Sequence, residues 1–221
     1  MRAALYYAPA QDDPLWDAAC TWLGRDAVTG GVIAQPDLPG IAEITADARR
    51  YGFHATLKPP MRLRTGLDAL LRDAESLASG LASFDLPPLR IADLEGFLAL
   101  RETSLCPPLQ ALADACVREL DHHRALPSEA ELARRRRGGL PPRQEEYLRD
   151  WGYPYVFADW RFHMTLTRRL SADEKVLLLP DLETRLAPAL AQPRRVDTLC
   201  VFTEPVGGGD FTIAARFRLG S

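Results

Sequence analysis

The sequence predicts an α+β protein of two pseudo-symmetric lobes, each an antiparallel sheet backed by helices, with a central cleft. Three observations carry that expectation. The pattern Phe-His-x-Thr-Leu occurs twice, at Phe53–Leu57 and at Phe162–Leu166, about half a chain apart. Each copy opens the same order of elements: strand, helix, strand, strand. The chain also has a globular composition, 221 residues with 47% apolar and 26% charged, which exceeds one typical domain and falls short of two. We therefore read a single bilobal domain over 1–221. A first lobe region covers 1–121, an inter-lobe insertion and candidate lid covers 122–158, and a second lobe region covers 159–221.

The elements follow in order. Ala3–Ala8 reads as a strand, and a helix follows from Asp13, with Pro14 suited to its first turn. Residues 24–50 are rich in Gly, Pro and Asp and read as a connecting loop. Gly52–Pro59 alternates apolar and polar residues, as a half-buried strand does, and prolines close it. Thr65 and Asp68 read as the capped start of a helix whose apolar stripe includes Leu67, Leu70, Leu71, Ala74 and Ala78. Strands near Leu89–Leu94 and Phe97–Glu102 meet at a tight Glu95-Gly96 turn. Pro107 and Pro108 start a further helix. In the second half, Trp160–Thr167 is again an alternating strand. A Ser171…Glu174 capping box opens a helical stretch that Pro180 is expected to interrupt. Strands near Val196–Phe202 and Phe211–Leu219 close the chain, and Gly207–Gly209 reads as their hairpin turn.

Charge and cysteine usage exclude several classes. A net charge of −3 offers no general basic footprint for nucleic acid or a membrane surface. The first apolar run meets Asp12 and Asp13 too soon for a signal peptide, and no stretch approaches a membrane span. Cys20, Cys106, Cys116 and Cys200 show no CxxC pair or zinc-ligand spacing, so we expect reduced core thiols and a cytoplasmic protein.

The chemistry is expected on the two histidine strands. Successive strand side chains point to opposite faces. Phe53, Ala55 and Leu57 take the apolar face, which leaves His54, Thr56 and Lys58 opposite. Phe162, Met164 and Leu166 do the same in the second copy, leaving His163, Thr165 and Thr167. If the two sheets face each other, two imidazoles and two hydroxyls converge. In-line opening of a phosphodiester needs a base on the incoming oxygen and an acid on the departing one. Histidine suits both roles, because its unperturbed pKa of about 6.5 lets one ring be neutral and the other protonated near neutrality. Threonine hydroxyls can donate to the non-bridging oxygens. No acidic residue lies beside either motif, so no metal and no cofactor is expected.

The pair His54-Ala55-Thr56-Leu57 and His163-Met164-Thr165-Leu166 resembles the H-x-[TS]-x pair of the two-histidine (2H) phosphoesterase superfamily. The surrounding residues, Tyr51 to Pro60 and Tyr153-Pro154-Tyr155-Val156 ahead of Arg161–Thr167, look like a bacterial branch associated with phosphonate-metabolism operons. The resemblance implies a bilobal fold, catalytic His54, Thr56, His163 and Thr165, and metal-independent opening of cyclic phosphodiesters. The substrate it suggests is a small sugar phosphate or nucleotide, with 5-phosphoribosyl 1,2-cyclic phosphate as the candidate. Other branches act on RNA 2′,3′-cyclic phosphate ends or on 2′–5′ linkages, as phosphodiesterases or ligase-like enzymes. A non-catalytic binder of nucleotides or RNA ends is the reading from another class. Which histidine is base, and which oxygen keeps the phosphate, stay open at this point.

Lys58, Arg101, Tyr155 and Thr167 are further candidates for holding substrate. Lys58 is otherwise an exposed strand end, and Arg101 otherwise a salt-bridge partner. The run Arg134–Arg137 is either a solvated helix end or a rim that holds an anionic substrate. His122 and His123 read as helix-terminal residues suited to the dipole.

Overall fold

The two Phe-His-x-Thr-Leu segments lie side by side in one sheet. A computed structural model describes residues 1–220. The strands are β1 (Arg2–Tyr7), β2 (Ala55–Arg62), β3 (Phe84–Leu86), β4 (Leu89–Leu94), β5 (Phe97–Glu102), β6 (Met164–Arg169), β7 (Arg194–Val196), β8 (Thr198–Glu204) and β9 (Thr212–Arg218). Seven of them form an antiparallel sheet in the order β4-β5-β6-β2-β1-β8-β9, and β3 pairs with β7 separately. The α+β class with antiparallel pairing is as the sequence predicts. The two sheets join edge to edge rather than facing each other. A single bridge, Ala55 to Met164, joins β2 to β6 and makes one continuous sheet of two wings.

The wings do not follow the two halves of the chain. The first-half hairpin β4-β5 pairs with β6 of the second half. The second-half hairpin β8-β9 pairs with β1, which in turn pairs with β2. Each half thus lends its hairpin to the other half's histidine strand. Central β1 reads as an unbroken apolar run because Ala3 to Ala8 are all buried.

The helices are α1 (Pro14–Leu23), α2 (Ile41–Ile44), α3 (Ala46–Tyr51), α4 (Leu67–Ser79), α5 (Pro107–Glu119), α6 (Glu129–Arg135), α7 (Pro142–Trp151) and α8 (Ala172–Leu190). Short α2 and α3 occupy the end of the segment expected to be loop. Helix α4 packs on β8 and β9, α5 on β2, and α1 and α3 on β6, while α8 lies against α1 and β4. The buried face of α4 is Leu70, Ala74 and Ala78, the i, i+4 stripe that its spacing predicts. Burying one leucine of that kind contributes roughly 1.5–3 kcal/mol.

Two local expectations fail for identifiable reasons. The N-cap of α4 is Gly66, without a side-chain cap, because the Thr65 hydroxyl is taken up by His123 Nδ1 at 2.6 Å. Helix α8 continues through both Pro180 and Pro188. An interior proline costs about 3 kcal/mol. Here Leu178, Leu182, Leu186 and Ala189 are buried on both sides of Pro180 and offset it. The Ser171…Glu174 capping box forms as expected, and the Glu95-Gly96 turn takes φ of 52° and 113°.

Among the described residues, no helix is long and apolar enough to cross a membrane. Cys20, Cys116 and Cys200 are buried, Cys106 is half-buried, and all four are free.

Candidate active site

His54 and His163 each sit one residue ahead of their strand, half-buried. Their Nδ1 atoms lie 2.9 Å from the Gly52 carbonyl and 2.8 Å from the Arg161 carbonyl, respectively. A carbonyl only accepts, so in both rings Nδ1 carries the proton and donates it two residues back. The neutral rings therefore share one tautomer, with the lone pair on Nε2. Gly52 makes the first of these contacts possible. It has φ of 76°, and a Cβ there would come within 2.5 Å of Ala27 Cβ, so a side chain at this position would displace the carbonyl that fixes His54.

The bridge between Ala55 and Met164 sets the rest. In antiparallel register, one residue to either side of it, His54 faces Thr165 and Thr56 faces His163. Ala55 and Met164 are fully buried, and the two imidazoles and two hydroxyls occupy the opposite face around the bridge. The approximate two-fold runs through that bridge.

The environments of the two rings differ. His54 stacks on Tyr6 with ring centroids 3.7 Å apart, and Tyr51 and Phe202 stand tilted around it at 6.2 and 6.1 Å. Its Nε2 is 3.2 Å from Thr56 Oγ1, so the hydroxyl donates to the lone pair. Burial pushes the His54 pKa down to about 4, and the nearby His163 charge adds to the effect. His163 has the edge of Phe97 at 6.0 Å. Burial lowers its pKa as well, and the Arg101 charge lowers it further. The Trp160 indole donates to the Thr56 carbonyl at 2.8 Å and ties the approach to His163 onto β2.

Arg101 reaches this face through register. Ala99 pairs with Thr165, and Arg101 lies two residues along the same strand. Its Nε is buried without a hydrogen-bond partner, a donor with capacity to spare for an anion. Tyr155 is 48% exposed, with its ring edge against Tyr153 at 5.5 Å, and stands at the rim.

Lys58 and Thr167 are corrections. A bulge at Leu57 pairs Thr56 with Tyr6 but Lys58 with the adjacent Leu5, which turns Lys58 to the helix side. There it is buried and donates to the Val117 carbonyl at 3.1 Å and to Asp121 Oδ1 at 2.8 Å. A corresponding irregularity in the pairing of β5 with β6 buries Thr167, whose hydroxyl accepts from the Leu98 amide at 2.9 Å. Neither side chain is available to substrate.

The arginine run divides by position. Arg134, Arg136 and Arg137 are exposed, and Arg136 pairs with Glu145 at 2.6 Å. Arg135 turns inward and lies 4.5 Å over the Tyr153 ring, where burial lowers its pKa. Tyr6 and Tyr51 stand against His54, and Arg135 covers Tyr153. Sequence reading missed all four as individuals.

Two H-x-T segments meet in one antiparallel sheet, the arrangement that the resemblance to the two-histidine phosphoesterases implies. The chain belongs to the DUF1045 family: the model of that family, described as a protein of unknown function, matches residues 56–212. A protein of Janthinobacterium sp. (strain Marseille) named ribose 1,5-bisphosphate phosphokinase PhnN is 40% identical over 221 residues, 95% of this chain and 49% of that protein. Its namesake in Laribacter hongkongensis (strain HLHK9) is 38% identical over 217 residues, 96% of this chain and 50% of the relative. The chain thus spans about half the length of the curated relatives it matches. Among solved structures, E. coli LigT complexed with 3'-AMP aligns with TM-score 0.49 and 13% identity, covering 100% of this chain and 98% of its own. A structure described as a phosphoesterase aligns with TM-score 0.48 and 11% identity over the same shares.

Proposed function

We propose that the protein opens a cyclic phosphodiester of a small phosphorylated sugar, with no metal in the chemical step. The observation that carries this reading is the matched pair of imidazoles around the Ala55–Met164 bridge, both holding Nδ1–H on a backbone carbonyl and both leaving Nε2 for chemistry.

His54 suits the base. With its pKa down to about 4 it is neutral over most of the working range, and its Nε2 lone pair takes a proton from the attacking water. His163 takes the acid role. As an imidazolium it keeps Nδ1–H on the Arg161 carbonyl and gives the Nε2 proton to the leaving oxygen. Water adds to phosphorus, the bond to the leaving oxygen breaks, and the two protons are accounted for by the two rings. When substrate binds, the Thr56 hydroxyl leaves His54 Nε2 and, with Thr165 and Arg101, supplies donors to the non-bridging oxygens, where charge accumulates. Arg135 on Tyr153 offers a second cationic seat for a further phosphate on the substrate.

The names of the relatives favour a ribose substrate. Opening 5-phosphoribosyl 1,2-cyclic phosphate with rupture of the bond to O2 leaves the phosphate on O1 and yields ribose 1,5-bisphosphate. That is the compound for which the phosphokinase relatives are named. A two-activity sequence of this kind accords with phosphonate utilisation.

A panel of cyclic phosphates followed by phosphorus NMR in excess chelator tests the reading. The expected result is fastest turnover of 5-phosphoribosyl 1,2-cyclic phosphate, with ribose 1,5-bisphosphate as product. Preference for oligonucleotide 2′,3′-cyclic ends would move the protein to the RNA-end class. Binding without turnover, or turnover only with an added divalent ion, would overturn the proposal.

A further inference from the structure

A second histidine cluster lies away from the cleft. Asp73 projects from α4, while His122 and His123 follow α5 in a short 3-10 turn, Asp121–His123. Helix α4 packs on α5, and α5 covers the face of β2 to which Lys58 turns. The cluster is therefore across the sheet from His54 and His163, and it has no part in the chemistry proposed above.

The two imidazoles converge on one carboxylate oxygen. His122 Nδ1 is 3.0 Å from the Glu119 carbonyl, so it carries a hydrogen, and the neutral ring has its lone pair on Nε2. That Nε2 lies 2.9 Å from Asp73 Oδ2. Either a proton on Nε2 or a bound metal ion can bridge two atoms at that distance. His123 brings its Nε2 to the same oxygen, 3.0 Å away, with the two ring centroids only 3.9 Å apart.

The supporting contacts match those of a metal site. The ligand atoms of Asp73, His122 and His123 all lie within 4.8 Å of one another. Bonds of about 2.0–2.2 Å to one ion put neighbouring ligand atoms roughly 2.8–3.1 Å apart at octahedral angles and roughly 3.3–3.6 Å apart at tetrahedral ones. Each imidazole has its remote nitrogen engaged, on the Glu119 carbonyl and on Thr65 Oγ1, which is how metal-bound histidines are commonly oriented. This also gives Thr65 its task in place of capping α4. Asp73 and His122 are about half exposed, at 49% and 51%, so water has access to complete the coordination.

We propose that Asp73, His122 and His123 form a divalent-metal site of the zinc class that clasps α4 to the turn at the start of the insertion. Two imidazoles and a carboxylate suit such borderline ions.

Calorimetric titration of tag-free, chelator-stripped protein with zinc tests the site. We expect one equivalent bound by the wild type and equally by the His54→Ala/His163→Ala double variant. Asp73→Asn and His122→Ala each change an exposed side chain and should weaken zinc at least about tenfold. Zinc should also raise the thermal midpoint of the wild type and leave those of the two cluster variants unmoved. No binding to the wild type, equal binding in Asp73→Asn and His122→Ala, or loss confined to the His54/His163 variant would each overturn the proposal.

Discussion

The two histidine strands share a backbone plan and differ in what surrounds each ring. His54 is pressed onto Tyr6 at 3.7 Å with Thr56 on its Nε2, and its pKa falls to about 4. His163 meets only an aromatic edge at 6.0 Å and has the Arg101 charge beside it. The repeated motif supplies two matched imidazoles, and the neighbouring side chains give each a different surrounding. Pairs of titratable groups pushed apart by environment are how acid and base roles divide. An anion bound to Arg101 would cancel the charge that depresses His163 and so favour its imidazolium form.

The largest expected effect comes from removing either ring. His54→Ala and His163→Ala should each lower kcat by about 10²–10⁴-fold with little change in KM. The double variant should be barely worse than either single one, because the pair acts as a unit. Independent, multiplicative losses measured in steady-state assays would break the pairing.

Removing one hydroxyl should cost less. Thr56→Ala and Thr165→Ala are expected to lower kcat by up to about 10²-fold, since each deletes one donor to developing charge. A smaller and different signature is expected at the rim. Arg135→Gln should raise KM about tenfold for a substrate bearing a second phosphate, in line with the loss of one charge-assisted contact. It should leave kcat, and the KM of a substrate without that phosphate, nearly unchanged.

The pH dependence sharpens the same contrast. The base must be neutral, which holds above about pH 4, and the acid must be protonated, which holds below the His163 pKa, itself under the ordinary 6.5. The pH profile of kcat/KM should therefore be a bell centred on the acid side of 6.5. Stability carries a matching signal. His54 binds its proton less readily folded than unfolded, so between pH 6.5 and about 4 the unfolded chain holds more protons. Stability should fall as pH drops through that window, and His54→Gln should remove this component. Denaturant midpoints at several pH values measure it.

Much of this asymmetry could not be read from sequence, and the reasons are physical. Alternation alone separates Phe53, Ala55 and Leu57 from His54 and Thr56, which is why the face bearing the histidines was legible. A bulge leaves no mark in that alternation, because the extra residue shows only against the partner strand. Lys58 and Thr167 were accordingly placed on the wrong face. Exchange of the β4-β5 and β8-β9 hairpins is likewise a matter of pairing partners, which chain order does not carry. Arg135 is one of four consecutive arginines, and only the direction in which α6 presents it over Tyr153 distinguishes it. Thr65 fits a capping pattern three residues before Asp68, yet a buried imidazole was the stronger claimant for its hydroxyl.

The division of roles between the rings is tested most directly by nitrogen-15 NMR titration of the two imidazoles in the free protein. The account predicts that both neutral rings carry hydrogen on Nδ1, and that His54 titrates near pH 4, below His163. Equal titration of the two rings, His163 titrating below His54, or hydrogen on Nε2 of either neutral ring would contradict it.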